Sequence, residues 1–381
     1  MNFTKASVVS ACMAFMLASA PAQADSWLGE AFTDSEDGAF DMSTWLLKRK
    51  GFLPLPIVIT EPAVGSGGGA AALFFRESLG EAAEKAKATG QMAPPDILGV
   101  AAFGTSNGTW GAGAGGMVSF DDDRYRWRGG VMRTSVNLDF YGQGGRVGPL
   151  GYNLDGWASV QHGMMRLGSS NAWLVGRWNY LDMKTSFDNE NATSRFGSIE
   201  RGNKASGLGV SLEYDSRDNI FTPNRGWTGA VDLTYYDPDW GSDTRFQSYR
   251  GHVFGYWQLD KGLILGGRAD VRTVEGRVPF YMLPFVDLRG VPAMRLQGTR
   301  TGVLETELRW NLSQRWALVG FGGTGTAWGS GTDFSDGNDT FSRGAGFRYQ
   351  IARLLGMWVG LDWAKSTQGH AFYIQVGNAW R

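Results

Sequence analysis

Beyond its first two dozen residues the chain contains no run of about 20 apolar residues, the length a membrane-crossing helix needs. It does repeat short segments in which apolar and polar residues alternate. Leu208, Val210, Leu212 and Tyr214 alternate with Gly209, Ser211 and Glu213, and Trp227, Gly229, Val231, Leu233 and Tyr235 put Asp232 on the opposite face. Leu304, Thr306, Leu308 and Trp310 alternate with Glu305, Glu307 and Arg309. Leu355, Met357, Val359, Leu361 and Trp363 alternate with Gly356, Trp358, Gly360 and Asp362, and Phe372, Ile374 and Val376 with Tyr373, Gln375 and Gly377. A period of two belongs to strands with two unlike faces. The chain's 56 glycines oppose long helices, so bundles and coiled coils are disfavoured. A soluble sandwich would also alternate, but its polar face would carry many Lys and Glu. Here that face carries glycine, small residues and opposed charges such as Arg268, Asp270 and Arg272, while Trp227, Tyr235, Tyr236, Trp257, Trp310, Trp316 and Trp363 lie near strand ends, where a membrane girdle would sit.

The N-terminus fits that reading. Lys5, the mostly apolar stretch 6–20 and Ala22-Gln23-Ala24 form a secretory leader over 1–24, with cleavage before Asp25. Too few apolar residues precede Cys12 for Val9-Ser10-Ala11-Cys12 to be a lipidation signal. An exported chain without spanning helices crosses a membrane only as a closed barrel. The expected fold is therefore all-β, a transmembrane antiparallel β-barrel of roughly 16 strands in the outer membrane of a Gram-negative cell. The candidate strands begin with 57–62 and 68–76 and end with 355–365 and 370–380. With both termini in the periplasm, the long connections 184–203, 275–302 and 328–340 face outside. The connection 77–95, with a helical Glu81–Lys87 stretch, faces the periplasm. The domains expected are the leader 1–24, a short periplasmic segment 25–56 and the barrel 57–381.

Two motifs narrow the reading. Glu213-Tyr214-Asp215-Ser216-Arg217-Asp218-Asn219 followed by Thr222-Pro223-Asn224-Arg225-Gly226-Trp227 forms a strand–turn–strand unit in which Pro223 and Gly226 shape the reversal and Asp215, Arg217 and Asp218 pair locally. Asp287-Leu288-Arg289-Gly290-Val291 follows in the long loop after the eleventh candidate strand. The first resembles the signature of BamA/TamA-like barrels, the bacterial surface antigen family, and the second resembles that family's V-R-G-[FY] loop tip. Ser342–Arg348 and Gly360-Leu361-Asp362 resemble its closing strands. The resemblance covers about 200–381. It implies an external loop that folds into the lumen, where Arg289, next to Gly290, pairs with acids on the wall. Val291 departs from the usual aromatic, and Phe321-Gly322-Gly323-Thr324-Gly325 has glycine where an acid is expected. Glu305, Glu307 and Asp362 are then the candidate lumen partners, with Arg348 beside them; for Glu305 and Glu307 an ordinary polar wall is the competing reading. Family members receive clients through periplasmic POTRA domains, and 25–56 is too short to hold one; it would be a plug, a tether or disordered.

Several chemistries are disfavoured. The formal net charge of −1 lacks a nucleic-acid binder's basic footprint. One Cys excludes a disulfide framework and a Cys-rich metal site. Of His162, His252 and His370, only His370 lies near a candidate nucleophile, Ser366, and a turn histidine is the simpler account. Asp333, Asp336, Asn338 and Asp339 lack the EF-hand order and read as a solvated loop. No enzyme activity, metal or cofactor is expected. The resemblance implies a role in outer-membrane biogenesis, with membrane lipid as surroundings and unfolded outer-membrane protein or lipid as cargo. The alternative is a porin-like channel constricted by 275–302.

Overall fold

A computed structural model describes residues 32–82, 84, 95–142, 148–187, 201–329 and 331–380. The alternating segments become sixteen strands, each hydrogen-bonded antiparallel to its neighbours in chain order. They are β1 (Gly51–Ile59), β2 (Gly67–Phe75), β3 (Ile97–Thr105), β4 (Trp110–Phe120), β5 (Tyr125–Phe140), β6 (Leu150–Arg166), β7 (Ala172–Phe187) and β8 (Arg201–Asp215). The second half comprises β9 (Gly226–Tyr236), β10 (Phe246–Asp260), β11 (Leu263–Gly276), β12 (Arg300–Asn311), β13 (Trp316–Trp328), β14 (Asn338–Ala352), β15 (Met357–Ser366) and β16 (Gly369–Val376). The sheet curls into a nearly closed barrel. Among the described residues no helix is long and apolar enough to cross a membrane, so the crossing falls to the strands. The connections 188–200, 277–299 and 329–337 lie at one rim, taken as external, and mostly short turns lie at the other, where the 76–96 connection is the long exception. The leader, most of the 184–203 connection and the end of the Glu81–Lys87 stretch lie outside the described residues; 79–82 is helical.

Side chains sort by face as the pleat demands. On β9, Trp227, Val231 and Leu233 are exposed at 46%, 68% and 40%, whereas Ala230, Asp232 and Thr234 are buried. In a soluble protein that exposed belt would be a liability; around a barrel it is the lipid contact. Leu304, Trp310, Trp363 and Phe372 continue it, while Arg268, Asp270, Glu305 and Asp362 turn into the lumen.

The ends of the sheet differ from expectation. β1 begins at Gly51 rather than 57, because Pro54 and Pro56 do not interrupt it. Proline is tolerated on an edge strand when its missing N–H faces away from the neighbour. The Ile57 carbonyl points toward β2, since a methyl group on Gly68 would lie 3.4 Å from it, so the even-numbered Pro54 and Pro56 face the other edge. No ladder joins that edge to β16 among the described residues. The last strand ends at Val376 instead of continuing to 380. Gly377 adopts φ +75°, and residues 377–380 leave the wall for the lumen.

Before β1, helix α1 (Ser43–Lys48) lies under the periplasmic rim. Its Leu46 packs with Leu53 of β1, Phe75 of β2 and Ala352 at the end of β14, and Leu79, Leu355 and Met357 close the cluster.

The belt assignment yields a direct test. Val231→Arg, at the middle of β9, is expected to lower folding stability in lipid vesicles by about 2–4 kcal/mol relative to Val231→Ala, read by urea titration.

Candidate functional site in the barrel lumen

The loop 277–299 between β11 and β12 enters the barrel in three steps, each set by local sequence. Near the external end Phe280 reaches the opposite wall, packing edge-on against Tyr152 at 5.0 Å and Phe140 at 5.1 Å. Val286, Leu288, Val291 and Leu296 then form a buried apolar cluster with Val303 of β12 and Ala327 of β13. At the tip Gly290 takes φ +85°, a region that strongly favours glycine, and lies so close to β15 that a methyl group there would be 3.2 Å from Ala364 Cβ.

That turn delivers Arg289 to the charged wall. Its Nε donates to Glu305 Oε1 at 2.6 Å, and its Nη1 donates to Glu307 Oε2 at 2.7 Å and Asp362 Oδ2 at 3.1 Å. The guanidinium lies 3.5 Å from the centre of the Phe321 ring, a cation–π contact strengthened by desolvation. Arg348 shares Asp362, with Nη2 2.9 Å from Oδ2, and Arg268 Nη1 approaches Glu305 at 3.7 Å. Three guanidinium groups thus meet three carboxylates. Such a balance is required, because an unpaired charge removed from water costs several kcal/mol.

Backbone groups of the loop are held as firmly as its side chains. Ser342 Oγ donates to the Arg289 carbonyl, Ser366 Oγ donates to the Gly290 carbonyl at 2.6 Å, and the Gly290 N–H donates to Tyr373 Oη at 2.8 Å. Ala293 N–H donates to Glu61 Oε1 at 3.0 Å, tying the loop to the β1–β2 connection. The loop therefore touches β14, β15, β16 and the far side of the β1/β16 junction. Its contact with Gly290 engages the Ser366 hydroxyl, while His370 is exposed at the start of β16.

The glycine run on β13 has a steric reason. A methyl group on Gly323 would stand 2.8 Å from Leu288 Cδ1, and one on Gly325 would stand 2.4 Å from Val286 Cγ1. The position where the family pattern has an acid is occupied here by the loop's own apolar side chains. Glu305, on neighbouring β12, supplies a carboxylate instead.

The strand–turn–strand motif lies between β8 and β9 at the opposite rim from the loop. Arg217 pairs bidentately with Asp215 at 2.7 and 2.9 Å, and Asp218 accepts the N–H groups of Asn224 and Arg225. Gly226 has φ +93° and would place a methyl group 2.3 Å from the Ser216 carbonyl, and Trp227 stacks on Tyr214 at 4.4 Å. The turn it builds reaches well beyond its own strands. Asn219 Nδ2 donates to Leu355 O at 2.9 Å, and Arg309 of β12 donates to the carbonyl of the buried Pro223 at 3.3 Å. Residues 377–380 fill the adjacent space. Trp380 is 3% exposed, lies among Phe254 and Tyr256, and donates its indole N–H to Glu305 Oε2 at 2.8 Å. Neither Asn219 nor Trp380 stood out from the sequence. The only signals were an Asx-turn residue and an aromatic near the end of the chain.

No protein-family model and no curated protein matches the chain. Solved structures do. BamA from Haemophilus ducreyi lacking POTRA domains 1–3 superposes with a TM-score of 0.59 at 13% identity, over 86% of this chain and 70% of that one. CdiB from Escherichia coli gives 0.59 at 11% identity over 85% and 61%, and CdiB from Acinetobacter baumannii gives 0.56 at 10% over 86% and 60%. The chain spans about 60% of the length of the two CdiB chains. It has the fold of these outer-membrane barrels.

Arg289→Ala leaves Glu305, Glu307 and Asp362 short of a buried cation. It is expected to destabilise the barrel by about 3–5 kcal/mol and to abolish or lower the heat-modifiability shift on gels. Arg289→Lys, a point charge without the planar fork, should fall between the two.

Proposed function

We propose that the protein acts in the outer membrane as a BamA-like barrel that moves or inserts protein or lipid through the junction of β1 and β16. The observation that carries this reading is that no ladder joins those strands among the described residues, next to a lumen occupied at both ends. In hydrocarbon, unpaired strand edges are costly, so a barrel that keeps them has a seam able to part. The occupied lumen supports a lateral route over an axial one. BamA and CdiB share the architecture, and this chain's cargo would be an unfolded outer-membrane protein or a lipid.

A porin-like channel shares the barrel but needs a continuous water path. Planar bilayer recordings separate the two. The lateral reading expects small, erratic conductance that becomes larger in Arg289→Ala. Steady, large conductance from the unaltered protein would sink it.

A further inference from the structure

The described residues before β1 make a set of contacts that the proposed function does not use. Arg315, in the β12–β13 turn, donates to Asp34 at 2.5 Å, Asp37 at 2.6 Å and Asp41 at 2.6 Å. Arg353, in the β14–β15 turn, donates to Asp34 at 2.6 Å and approaches Glu36 at 3.0 Å. Backbone bonds continue the contact. Met42 N–H donates to Ile351 O at 2.7 Å, Arg353 N–H to Asp41 at 2.9 Å and Leu354 N–H to Ser43 Oγ at 2.9 Å. Tyr349 Oη donates to Phe40 O at 2.7 Å. Arg315, Asp34 and Asp41 are all buried, so these are not the solvent-screened surface pairs that contribute little.

The path of the segment gives the contacts their meaning. It is joined covalently to β1, on one side of the junction, and is bonded to the turns of β12–β15, on the other. The apolar cluster around Leu46 has the same two-sided composition, taking Leu53 and Phe75 from β1 and β2 and Ala352 from β14. Pro54 and Pro56 remove two donors from the very edge that a β1–β16 ladder would use.

We infer that residues 32–48 are a latch that holds the β1/β16 junction shut from the periplasmic side, and that undocking it from Arg315 and Arg353 frees β1 to move. The inference holds whatever the cargo is, because it concerns only how the junction closes.

The charges set the latch's pH range. Hydrogen bonds from Arg353 to Asp34 and from Arg315 to Asp37 hold both carboxyls below their ordinary range. For Asp41, burial acts upward and is outweighed by Ser43, Arg315 and the Arg353 amide. Glu36 and Arg353 complete the charged contacts of the cluster. Carboxyls depressed in the folded state stabilise it above their unfolded pKa and lose that contribution as pH falls. The latch should therefore hold above the ordinary carboxyl pKa of about 4 and weaken progressively as pH falls below it, through the depressed folded-state values.

The test uses the full chain in phospholipid vesicles, with spin labels on Phe52→Cys and Ile374→Cys, both on the lipid face. Arg315→Glu with Arg353→Glu should expose 32–48 to protease and raise the population of long label distances about tenfold. Leu46→Asp should do the same with both arginines intact. In a chain without labels, a Leu46→Cys/Ala352→Cys disulfide should keep 32–48 protected from protease in the charge-reversal background until it is reduced. Protease release with unchanged distances would overturn the latch, as would a segment that stays protected after charge reversal. No cargo is present in this assay. A junction that responds while cargo transfer fails would sink the proposed function and leave the latch standing.

Discussion

A sheet that crosses a membrane must satisfy every backbone group within itself, and a barrel does so by joining its first strand to its last. Here that join is compromised by Pro54 and Pro56, which leave part of the β1 edge without donors. Much of what fills the barrel can be understood as compensation. The 277–299 loop bonds to β14, β15 and β16 and, through Glu61, to the connection after β1. The N-terminal segment makes the corresponding crossing at the periplasmic rim. Side-chain and loop contacts at the two ends thus link strands on either side of the junction. Such contacts can be broken one group at a time, whereas a ladder resists as a unit.

The lumen shows how a membrane protein carries many charges at near-neutral net charge. Arg289, Arg348 and Arg268 stand against Glu305, Glu307 and Asp362, while Arg250 and Arg272 flank Asp270 at 2.7 and 3.0 Å. A guanidinium suits this work because its planar fork serves several oxygens at once. Phe321 covers its face, and Trp380 takes the remaining Glu305 oxygen. The charged network and the apolar residues around it hold loop, wall and C-terminus as one body.

Much of this was legible in the sequence. Period-two alternation gave the strands and their faces because a pleated strand leaves no other choice, and Val231 and Asp232 lie on the expected sides. Arg289 was legible because a loop arginine beside glycine resembles a known tip, and its acids could be proposed from their inward parity. The ends were not legible. The expected first strand starts at 57, after Pro54 and Pro56, whereas β1 includes both, since a sequence does not show which edge has a neighbour. The expected last strand runs to 380, and only the three-dimensional positions of Glu305, Phe254 and Tyr256 account for Trp380 turning inward. The pairing of Asp34, Asp37 and Asp41 could not be seen in the sequence, because Arg315 lies more than 270 residues away along the chain.

Three of the groups that hold the loop tip are backbone groups: the Arg289 and Gly290 carbonyls and the Gly290 N–H. Side-chain replacement does not delete a carbonyl or, except by proline, an amide. Residues around the arginine and glycine are therefore released to drift, provided the turn keeps its shape. Val291, buried beside the tip, fills its place in the apolar cluster without an aromatic ring. A tip gripped by its main chain is specified as a conformation more than as a string of letters, and it can keep its place on the wall while the side chains around it change.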